Sequence, residues 1–323
     1  MQILTQRSEV LAEMARAAST LRPILCPNAE TPDEMEGILV GAEKFARERD
    51  LPSVTVGLGI TAGYPDHPQL RHLSADSGGD AESLMETARI WLGWLSLHAG
   101  RSRYGRVRAI PFLDHGWAPL EGDRALMEEA WFQEAMGILM FDASALSLEE
   151  NTRLTTEFVE RFGGRVVIEA CPDKVYERAE AERLGLREAD LLSDPARVAA
   201  YVSATGVDLI VPNLGTEHRT ASKEPLTFQS GLADALSERV GPIMALHGTS
   251  SLGGKIGEVG RSGIVKINYY TAMAGRASAR LLAEWTATDG PLPIRKACGS
   301  FVHRTRRAAV AADVDGMLNT LYS

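Results

Sequence analysis

Cysteine is scarce in this sequence, and long apolar runs are missing. The three cysteines, Cys26, Cys171 and Cys298, lie far apart without a Cys-x-x-Cys spacing, which argues against a disulfide framework and against a cysteine zinc site. No segment approaches the roughly 18 uninterrupted apolar residues of a membrane-spanning helix. Residues 1–20 have the pattern of an amphipathic helix and not of a signal peptide. We therefore expect a cytoplasmic protein that does not span a membrane.

Positive charge is also in short supply. Lysine and arginine number 34 against 43 aspartates and glutamates, which gives a formal net charge of -9. This balance argues against a nucleic acid or an anionic membrane as the main partner, although a local basic pocket is compatible with it. The other composition values, 45% hydrophobic and 24% charged over 323 residues, are those of a globular protein with room for one large α/β barrel or two modest domains.

Short apolar runs alternate with segments of helical period along almost the whole chain, which predicts repeated βα units around a parallel sheet. The eight predicted strands are Pro23–Cys26, Val54–Gly59, Val107–Leu113, Gly137–Phe141, Val166–Ala170, Asp208–Val211, Pro242–Leu246 and Gly263–Ile267. The predicted helices between them include Thr31–Arg47, Glu82–His98, Ser147–Phe162, Pro195–Thr205 and Gln229–Val240.

Eight strands with eight crossovers favour a closed (β/α)₈ TIM barrel over a doubly wound open sheet. We predict a single domain over residues 1–323, with an N-terminal helix over 1–20, an eighth helix over Thr271–Thr286 and a helical C-terminal extension over 291–323. Two connections, 64–80 and 172–194, are too long and polar for simple turns. They are either functional lids or flexible decoration, and both interpretations stay open.

Polar side chains gather where the predicted strands end. They are Asp114 and His115 after the third strand, Asp142 after the fourth, Glu169 in the fifth, His218 after the sixth and His247 after the seventh. A barrel brings the carboxyl ends of its strands to one face, and three histidines with nearby carboxylates suit a catalytic zinc or another borderline divalent ion. Taken alone, each of these histidines is more often a hydrogen-bonded structural residue than a metal ligand. The same structural interpretation is kept for His67, His72, His98 and His303.

Five segments resemble elements of the class II (metal-dependent) fructose-bisphosphate aldolase family. IPFLDHG resembles LHLDHG, FDASALSLEEN resembles IDGSHLPFEEN, TGVDLIVPNLGTEHRTASKEP resembles TGVDxLAVAIGTSHGAYKGEP, LHGTSSL resembles LHGGSG, and GIVKINYYT resembles GIAKINVNT. They occur in the family's order between residues 110 and 271, and with the match at Asn28 the resemblance covers most of the chain from residue 28 to residue 271. The combination is specific, whereas any single element is not.

The resemblance implies a metal held by His115, His218 and His247, with Zn²⁺ the expected ion. It also implies that Asp114 is the acid/base that exchanges a proton with the hydroxyl next to the bond being cut. Asp142 matches a carboxylate near the metal. A metal bound to two substrate oxygens stabilises the enediolate that is left by carbon–carbon cleavage.

Further roles follow from the same resemblance. Asn268 matches the asparagine that contacts the ketose part of the substrate, and Asn28 matches an early family asparagine. The family's second proton donor is a glutamate on the loop after strand five. In this chain the loop offers Glu177, Glu180 and Glu182, and the sequence does not choose among them. Glu182 is taken as the candidate.

The sequence departs from the family pattern at strand five. Glu169 matches the first glutamate of the family's VEAELG element, but Cys171 replaces the second, which lies close to the metal, and a Gly-rich loop is absent after it. Cys171 is either a thiolate ligand or, as we favour, a small buried thiol.

The residues that handle phosphate in the family differ more. Arg219 and Ser222 stand where the family has glycine and lysine, with Lys223 one step beyond. Arg219 either binds an anion through two N–H groups of its guanidinium or points to solvent.

Substrate-side positions change as well. Ser250 keeps the family serine while Thr249 replaces a glycine, and Thr271 is retained while Tyr270 replaces a small polar residue. Tyr270 is either a substrate contact or a barrel-packing aromatic.

The sequence predicts a metal-dependent aldolase that makes or breaks a carbon–carbon bond in a ketose, a ketose phosphate or a related β-hydroxy ketone. The small-molecule substrate is its main partner, and family members are commonly homodimers or homotetramers. One alternative is a catalytically altered metal-binding barrel with a regulatory or assembly role, which the loss of a glutamate at position 171 motivates. Another is an epimerase or hydrolase that uses the same histidines.

Overall fold

The computed structural model of the chain describes residues 1–65, 67–73, 80–174, 183, 185, 191–216, 228–249, 252–286 and 304–323. Within these ranges nine strands form one parallel sheet. In chain order they are β1 (Gln2–Ile3), β2 (Ile24–Pro27), β3 (Val54–Ile60), β4 (Val107–Trp117), β5 (Ile138–Asp142), β6 (Val167–Ala170), β7 (Leu209–Ile210), β8 (Met244–Leu246) and β9 (Ile264–Tyr269).

Strands β2 to β9 follow one another around a closed ring. Strand β4 pairs with both β3 and β5, and β2 pairs with β9, which closes the barrel. Every residue of β3 and β9 is buried, as expected for strands that have a packed barrel interior on one side and helices on the other. The predicted (β/α)₈ TIM barrel is confirmed, and each predicted strand overlaps an observed one.

The helices between the strands also match the predicted pattern. They are α1 (Arg7–Thr20), α2 (Pro32–Glu48), α3 (Ala81–Ser96), α4 (Glu121–Glu128), α5 (Ala130–Ala135), α6 (Leu148–Phe162), α7 (Pro195–Thr205), α8 (Ser230–Val240), α9 (Thr271–Thr286) and α10 (Arg304–Leu321). None of the helices in the described ranges has the length and apolar character needed to cross a membrane.

Local sequence signals explain where several helices begin. Thr31 and Glu34 form a capping box at the start of α2, and Pro32 occupies its first turn. The side chains of Asp80, Ser147 and Asp194 accept hydrogen bonds from backbone N–H groups three residues further on. These caps satisfy N–H groups that have no partner inside the helix.

The N-terminal segment closes the barrel at the end where its strands begin. Residues 2 and 3 form β1, paired with β4, in place of the first turn of the predicted helix, and the helix starts only at Arg7. Val10 and Met14 of α1 are buried in a cluster that includes Ile110 and Phe112. The apolar face of α1 therefore plugs the lower end of the barrel.

The C-terminal helix α10 packs across α2. A Cβ atom on Gly37 would come within 2.7 Å of the Cβ atom of Val310, so the two helices approach at a distance that only glycine permits there. Arg306 of α10 lies 3.3 Å from the carboxylate of Glu34. The helical character predicted for the C-terminal extension holds for Arg304–Leu321, while residues 287–303 lie outside the described residues.

Candidate functional site

The end of β4 departs from regular strand geometry at the Asp-His-Gly segment. The strand runs on to Trp117, beyond the predicted end at Leu113, and its register with β5 shifts between Leu113 and Gly116. His115 has a positive φ of 50°, a conformation that few residues other than glycine adopt. Such a bulge re-aims side chains, and here Asp114 and His115 both line the cleft at the barrel mouth.

His115 is oriented by the next strand. Its Nδ1 lies 2.6 Å from Oδ2 of Asp142, the last residue of β5. Because Asp142 is a carboxylate, we assign the ring proton to Nδ1. The lone pair of Nε2 is then available to coordinate a metal ion. Burial by itself lowers the pKa of His115, but Asp142 and the nearby carboxylates Asp114 and Glu169 outweigh it and raise this pKa. The same carboxylates that raise this pKa would also favour a metal cation at Nε2 in place of a proton.

His247 follows β8 and meets His115 at the centre of the mouth. The distance from His247 Nδ1 to His115 Nε2 is 3.2 Å, and His247 Nε2 lies 3.3 Å from Oε1 of Glu169. Both rings are nearly buried, with relative exposures of 3% for His247 and 6% for His115. Each imidazole therefore has one nitrogen near a carboxylate and its other nitrogen at a common point.

Asp114 lies beside this common point. Its Oδ1 is 4.0 Å from His115 Nε2 and 3.9 Å from His247 Nδ1. The Nδ2 groups of Asn268 and Asn28 donate to its two oxygens, at 2.7 Å and 2.9 Å. Burial would raise the pKa of Asp114, but charge on His115, His247 and Lys266 lowers it below its ordinary value. Asp114 is therefore a fixed, ionised carboxylate at neutral pH.

These donors fit a divalent metal. Two nitrogens that are each about 2.0–2.1 Å from a tetrahedral ion lie roughly 3.3 Å apart, close to the observed 3.2 Å between His115 Nε2 and His247 Nδ1. A carboxylate oxygen of Asp114 lies within 4.8 Å of the facing ring nitrogens of His115 and His247, close enough to act on a substrate bound at the ion. Imidazole ligands with carboxylates behind them are the usual setting of a zinc site.

Glu169 and Cys171 lie deeper, around the end of β6. Glu169 is fully buried, and its two carboxylate oxygens are 3.0 Å and 2.9 Å from Nζ of Lys266. Burial and the carboxylates of Asp142, Glu169 and Asp114 raise the pKa of the Cys171 thiol well above its usual value. This environment supports the interpretation of Cys171 as a buried thiol, although its sulfur lies within 4.8 Å of donor atoms of His115 and Asp142.

The cleft above these residues holds about 560 Å³ of space, part of which is open solvent. Residues 61–69, directly after β3, contribute Thr61, Tyr64, His67 and Gln69 to its lining. The ring of Tyr64 stacks on His115, with centroids 4.5 Å apart and planes 12° from parallel. Sequence reasoning missed Tyr64 and Gln69 and assigned His67 a structural role. The available signal was their position directly after a strand.

Tyr270 forms one wall of the cleft, and its hydroxyl donates to the carboxylate of Glu30. His72 Nδ1 lies 2.7 Å from the same carboxylate, and His67 Nε2 lies 3.5 Å away. Burial would raise the pKa of Glu30, but the nearby imidazole of His67 and the contacts with Tyr270 and His72 hold it at about 2. The carboxylate of Glu30, next to Tyr270, is therefore ionised at neutral pH.

Several predicted site residues lie outside the described residues. They are the third histidine His218, its neighbour Arg219, Ser250, and the loop glutamates Glu177, Glu180 and Glu182. Of the predicted residues that are described, the structure gathers Asn28, Asp114, His115, His247, Asn268, Tyr270 and Thr271 around one cleft. Asp142 and Glu169 lie behind its two histidines.

Two known proteins are similar to parts of this chain in sequence. YdjI of Escherichia coli K12 is 32% identical over 179 residues, which are 53% of this chain and 59% of YdjI. The fructose-bisphosphate aldolase of Geobacillus stearothermophilus is 28% identical over 142 residues, which are 43% of this chain and 46% of that enzyme. The matched region thus spans about half the length of these relatives.

Solved structures share the fold over nearly the whole chain. The X-ray structure of the YdjI aldolase superposes with a TM-score of 0.68 at 20% identity and covers 99% of this chain and 97% of that one. Fructose-bisphosphate aldolase from Campylobacter jejuni gives a TM-score of 0.76 at 16% identity, with the same coverage of 99% and 97%. At such low identity the likeness concerns the fold.

The sequence profile described as fructose-bisphosphate aldolase class-II matches residues 92–319. This match covers more than half of the chain and includes β4 to β9 with their intervening segments. The chain therefore belongs to the class II fructose-bisphosphate aldolase family.

Proposed function

We propose that this protein is a metal-dependent aldolase that cleaves or forms a carbon–carbon bond in a ketose, a ketose phosphate or a related β-hydroxy ketone. The observation that carries the proposal is the convergence of His115 Nε2 and His247 Nδ1, 3.2 Å apart, beside the carboxylate of Asp114. A metal-binding protein without catalysis has no need of a carboxylate fixed by two asparagines next to its ligands.

Asp114 is the acid/base in this proposal. Its ionised form accepts the proton of the substrate hydroxyl when the bond breaks and returns it when the bond forms. Asn28 and Asn268 each donate to one of its oxygens, so the carboxylate keeps one orientation. A Cβ atom on Gly59 would come within 2.3 Å of Oδ1 of Asn28 and 2.2 Å of the Phe112 ring, so Asn28 has room in this position only because residue 59 is a glycine.

His115 and His247 would hold the ion, and in this proposal His218 is the third ligand and Zn²⁺ the expected metal. A divalent ion there supplies Lewis-acid stabilisation of the negative charge that develops on substrate oxygens. Asp142 and Glu169 orient the two rings. Glu182 stays our proposal for the second proton donor.

Two features of the cleft rim argue for a substrate other than fructose 1,6-bisphosphate. Tyr270 places a phenol ring where the family has a small polar residue, and the carboxylate of Glu30 stands directly behind it. Like charge disfavours a phosphate at that wall. Gln69 lines the cleft and is buried, and its Nε2 has no hydrogen-bond partner among the described residues. An unphosphorylated ketose suits this wall best, whereas a monophosphate, a different sugar phosphate or another acidic analogue would have to place its negative charge away from Glu30.

The test is product analysis with a panel of ketoses, ketose monophosphates and fructose 1,6-bisphosphate, using protein loaded with zinc. We expect one panel member to yield two carbonyl fragments, and Asp114→Asn to slow their formation by about 10³-fold or more. A product that keeps all carbons of its substrate would indicate an epimerase. A fully metal-loaded protein without turnover on any substrate would favour the altered, non-catalytic barrel.

The substrate class has its own test. A double variant, Tyr270→Asn with Glu30→Gln, restores a small polar residue and removes the carboxylate behind it, and we expect it to raise activity on the bisphosphate relative to the preferred substrate. Efficient cleavage of fructose 1,6-bisphosphate by the parent protein would contradict the proposed substrate class. We also propose a cytoplasmic homodimer or homotetramer on the strength of the family, and analytical ultracentrifugation measures the assembly.

A further inference from the structure

Lys266 is a buried cation to which neither the sequence motifs nor the proposed mechanism assigns a role. It lies in the middle of β9, its relative exposure is 0%, and its Nζ sits 4.5 Å from the centre of the Phe112 ring. A buried ammonium ion is stable only when paired and hydrogen-bonded. Its partners therefore show what it holds in place.

The first partner is Asn268, two residues further along the same face of β9. The ammonium of Lys266 donates to Oδ1 of Asn268. That contact identifies the amide atom facing Lys266 as the oxygen and not the nitrogen, because an ammonium ion donates hydrogen bonds and accepts none. With Oδ1 turned to Lys266, Nδ2 points away and donates to Asp114 Oδ1 at 2.7 Å.

The second partner is Glu169 on β6. Lys266 Nζ lies 3.0 Å from Oε1 and 2.9 Å from Oε2 of this fully buried carboxylate. Oε1 of Glu169 in turn lies 3.3 Å from Nε2 of His247. One ammonium group thus touches both the residue that orients the acid/base and the residue behind a metal-binding imidazole.

We infer that Lys266 is a positioning residue that fixes the orientation of the Asn268 amide and, through it, the carboxylate of Asp114 that exchanges a proton with substrate. This inference rests on the proposed role of Asp114. Without the ammonium ion, the amide of Asn268 can rotate and present its oxygen to Asp114, where two acceptors repel. A misplacement of about 1 Å at a reacting group can cost on the order of 100-fold in rate.

The test compares Lys266→Met with the parent protein. Because Lys266→Met leaves the carboxylate of Glu169 buried without its cation, a second variant, Lys266→Met with Glu169→Gln, removes both charges together. Thr55→Val is the matched control, since Thr55 is also buried in the barrel wall and donates to Glu13 at 2.7 Å at the opposite end.

The structural readout is a crystal structure of each metal-free variant. We expect the contact between Asn268 Nδ2 and Asp114 Oδ1, 2.7 Å in the parent, to be lost in both Lys266 variants and kept in Thr55→Val. An Asn268 amide that stays in place on Asp114 in both Lys266 variants would overturn the inference. This readout needs no activity, so it stands even if the parent protein cleaves no ketose and the proposed function fails.

The kinetic readout is a double-mutant cycle with Asp114→Ala on the substrate that the parent cleaves. We expect Lys266→Met to lower kcat about 100-fold in the parent background and less than about threefold when Asp114 is already alanine, with the metal content unchanged. Equal fold-losses in both backgrounds would mean that Lys266 acts independently of Asp114. Loss of the metal along with the activity would assign Lys266 to metal retention instead. Either result would overturn the inference.

Discussion

The two ends of the barrel both bury charge, but they arrange it differently. At the lower end, the carboxylate of Glu13 accepts hydrogen bonds from Thr55, Arg16 and Arg108. The guanidinium groups that surround it are partly exposed, with side-chain exposures of 41% for Arg16 and 28% for Arg108. Glu13, Arg16 and Arg108 therefore each have a charged protein partner, and the two guanidinium groups also reach the surface.

At the mouth the same kinds of group point at a shared space. Asp114, Asp142 and Glu169 are buried carboxylates, and the buried cation beside them is Lys266. Two imidazole nitrogens converge to 3.2 Å at the floor of a cleft. The comparison shows that buried charge by itself does not mark a site. What marks it is the convergence of donor atoms on space that protein atoms leave open.

The largest expected effect is a loss of activity, which a substitution at the mouth should cause and one at the lower end should not. Asp114→Ala removes the proposed acid/base, and we expect turnover to fall by about 10³-fold or more, within the range of general acid–base catalysis. Its metal content and unfolding temperature should stay near those of the parent. Steady-state kinetics with metal analysis measures both, and a variant that keeps more than a tenth of the activity would remove Asp114 from the mechanism.

The next effect concerns the metal alone. Asp142→Asn weakens the contact that orients His115 at 2.6 Å, and loss of such an outer partner typically costs 10–100-fold in metal affinity. Competition with a fluorescent zinc chelator measures the change. Ser144→Ala is a useful control because the backbone N–H of Ser144, which the substitution keeps, already donates to Asp142. Unchanged affinity in Asp142→Asn would contradict the assignment of His115 as a ligand.

The lower end should respond in stability and not in activity. Glu13→Gln leaves Arg16 and Arg108 without their carboxylate, and because both can reach water we expect a loss of about 1–3 kcal/mol in the free energy of unfolding. Burial would raise the pKa of Glu13, but Thr55, Arg16 and Arg108 lower it below its ordinary 4.5. Glu13 therefore stabilises the fold above about pH 4.5, and this contribution is lost as the pH falls through its folded-state pKa.

Urea unfolding between pH 3 and pH 7 measures this dependence. We expect the stability difference between the parent and Glu13→Gln to shrink toward the acid end of the range, with kcat per bound metal equal in the two proteins. A pH-independent difference would show that Glu13 acts through packing and not through its charge.

The smallest expected effect is at the stack on His115. Tyr64→Leu removes a ring whose centroid lies 4.5 Å from that of the imidazole. Aromatic pairs contribute about 0.5–1.5 kcal/mol beyond the area they bury, so metal affinity should fall by roughly two- to tenfold. Tyr64→Phe keeps the ring and should retain the parent affinity. If both variants bind zinc as the parent does, the stack has no part in holding His115.

The fold could be predicted from sequence because its signals are local. The apolar run at 54–60 and the cap at Thr31 are each short, and they locate β3 and the start of α2 to within a residue or two. Asp114, His115 and His247 could be placed at one mouth because parallel strands end on the same face of a barrel.

Other features depend on distant parts of the chain. Lys266 looks like an interruption of an apolar strand until Glu169, 97 residues away in sequence, is seen to pair with it. The positive φ of His115 and the register shift of β4 arise from pairing with β5. The stacking of Tyr64 depends on how a loop folds back over the mouth, and neither strand patterns nor residue types encode that path.

The most direct test of the central claim is the metal content of the purified protein, by elemental analysis after zinc is supplied, beside His247→Ala and His98→Ala. His98 is a buried histidine outside the cleft, packed against Tyr104, and so controls for the loss of a histidine as such. The account predicts about one equivalent of zinc in the parent and in His98→Ala, and little in His247→Ala. No bound metal in the parent, or equal zinc in all three proteins, would contradict it.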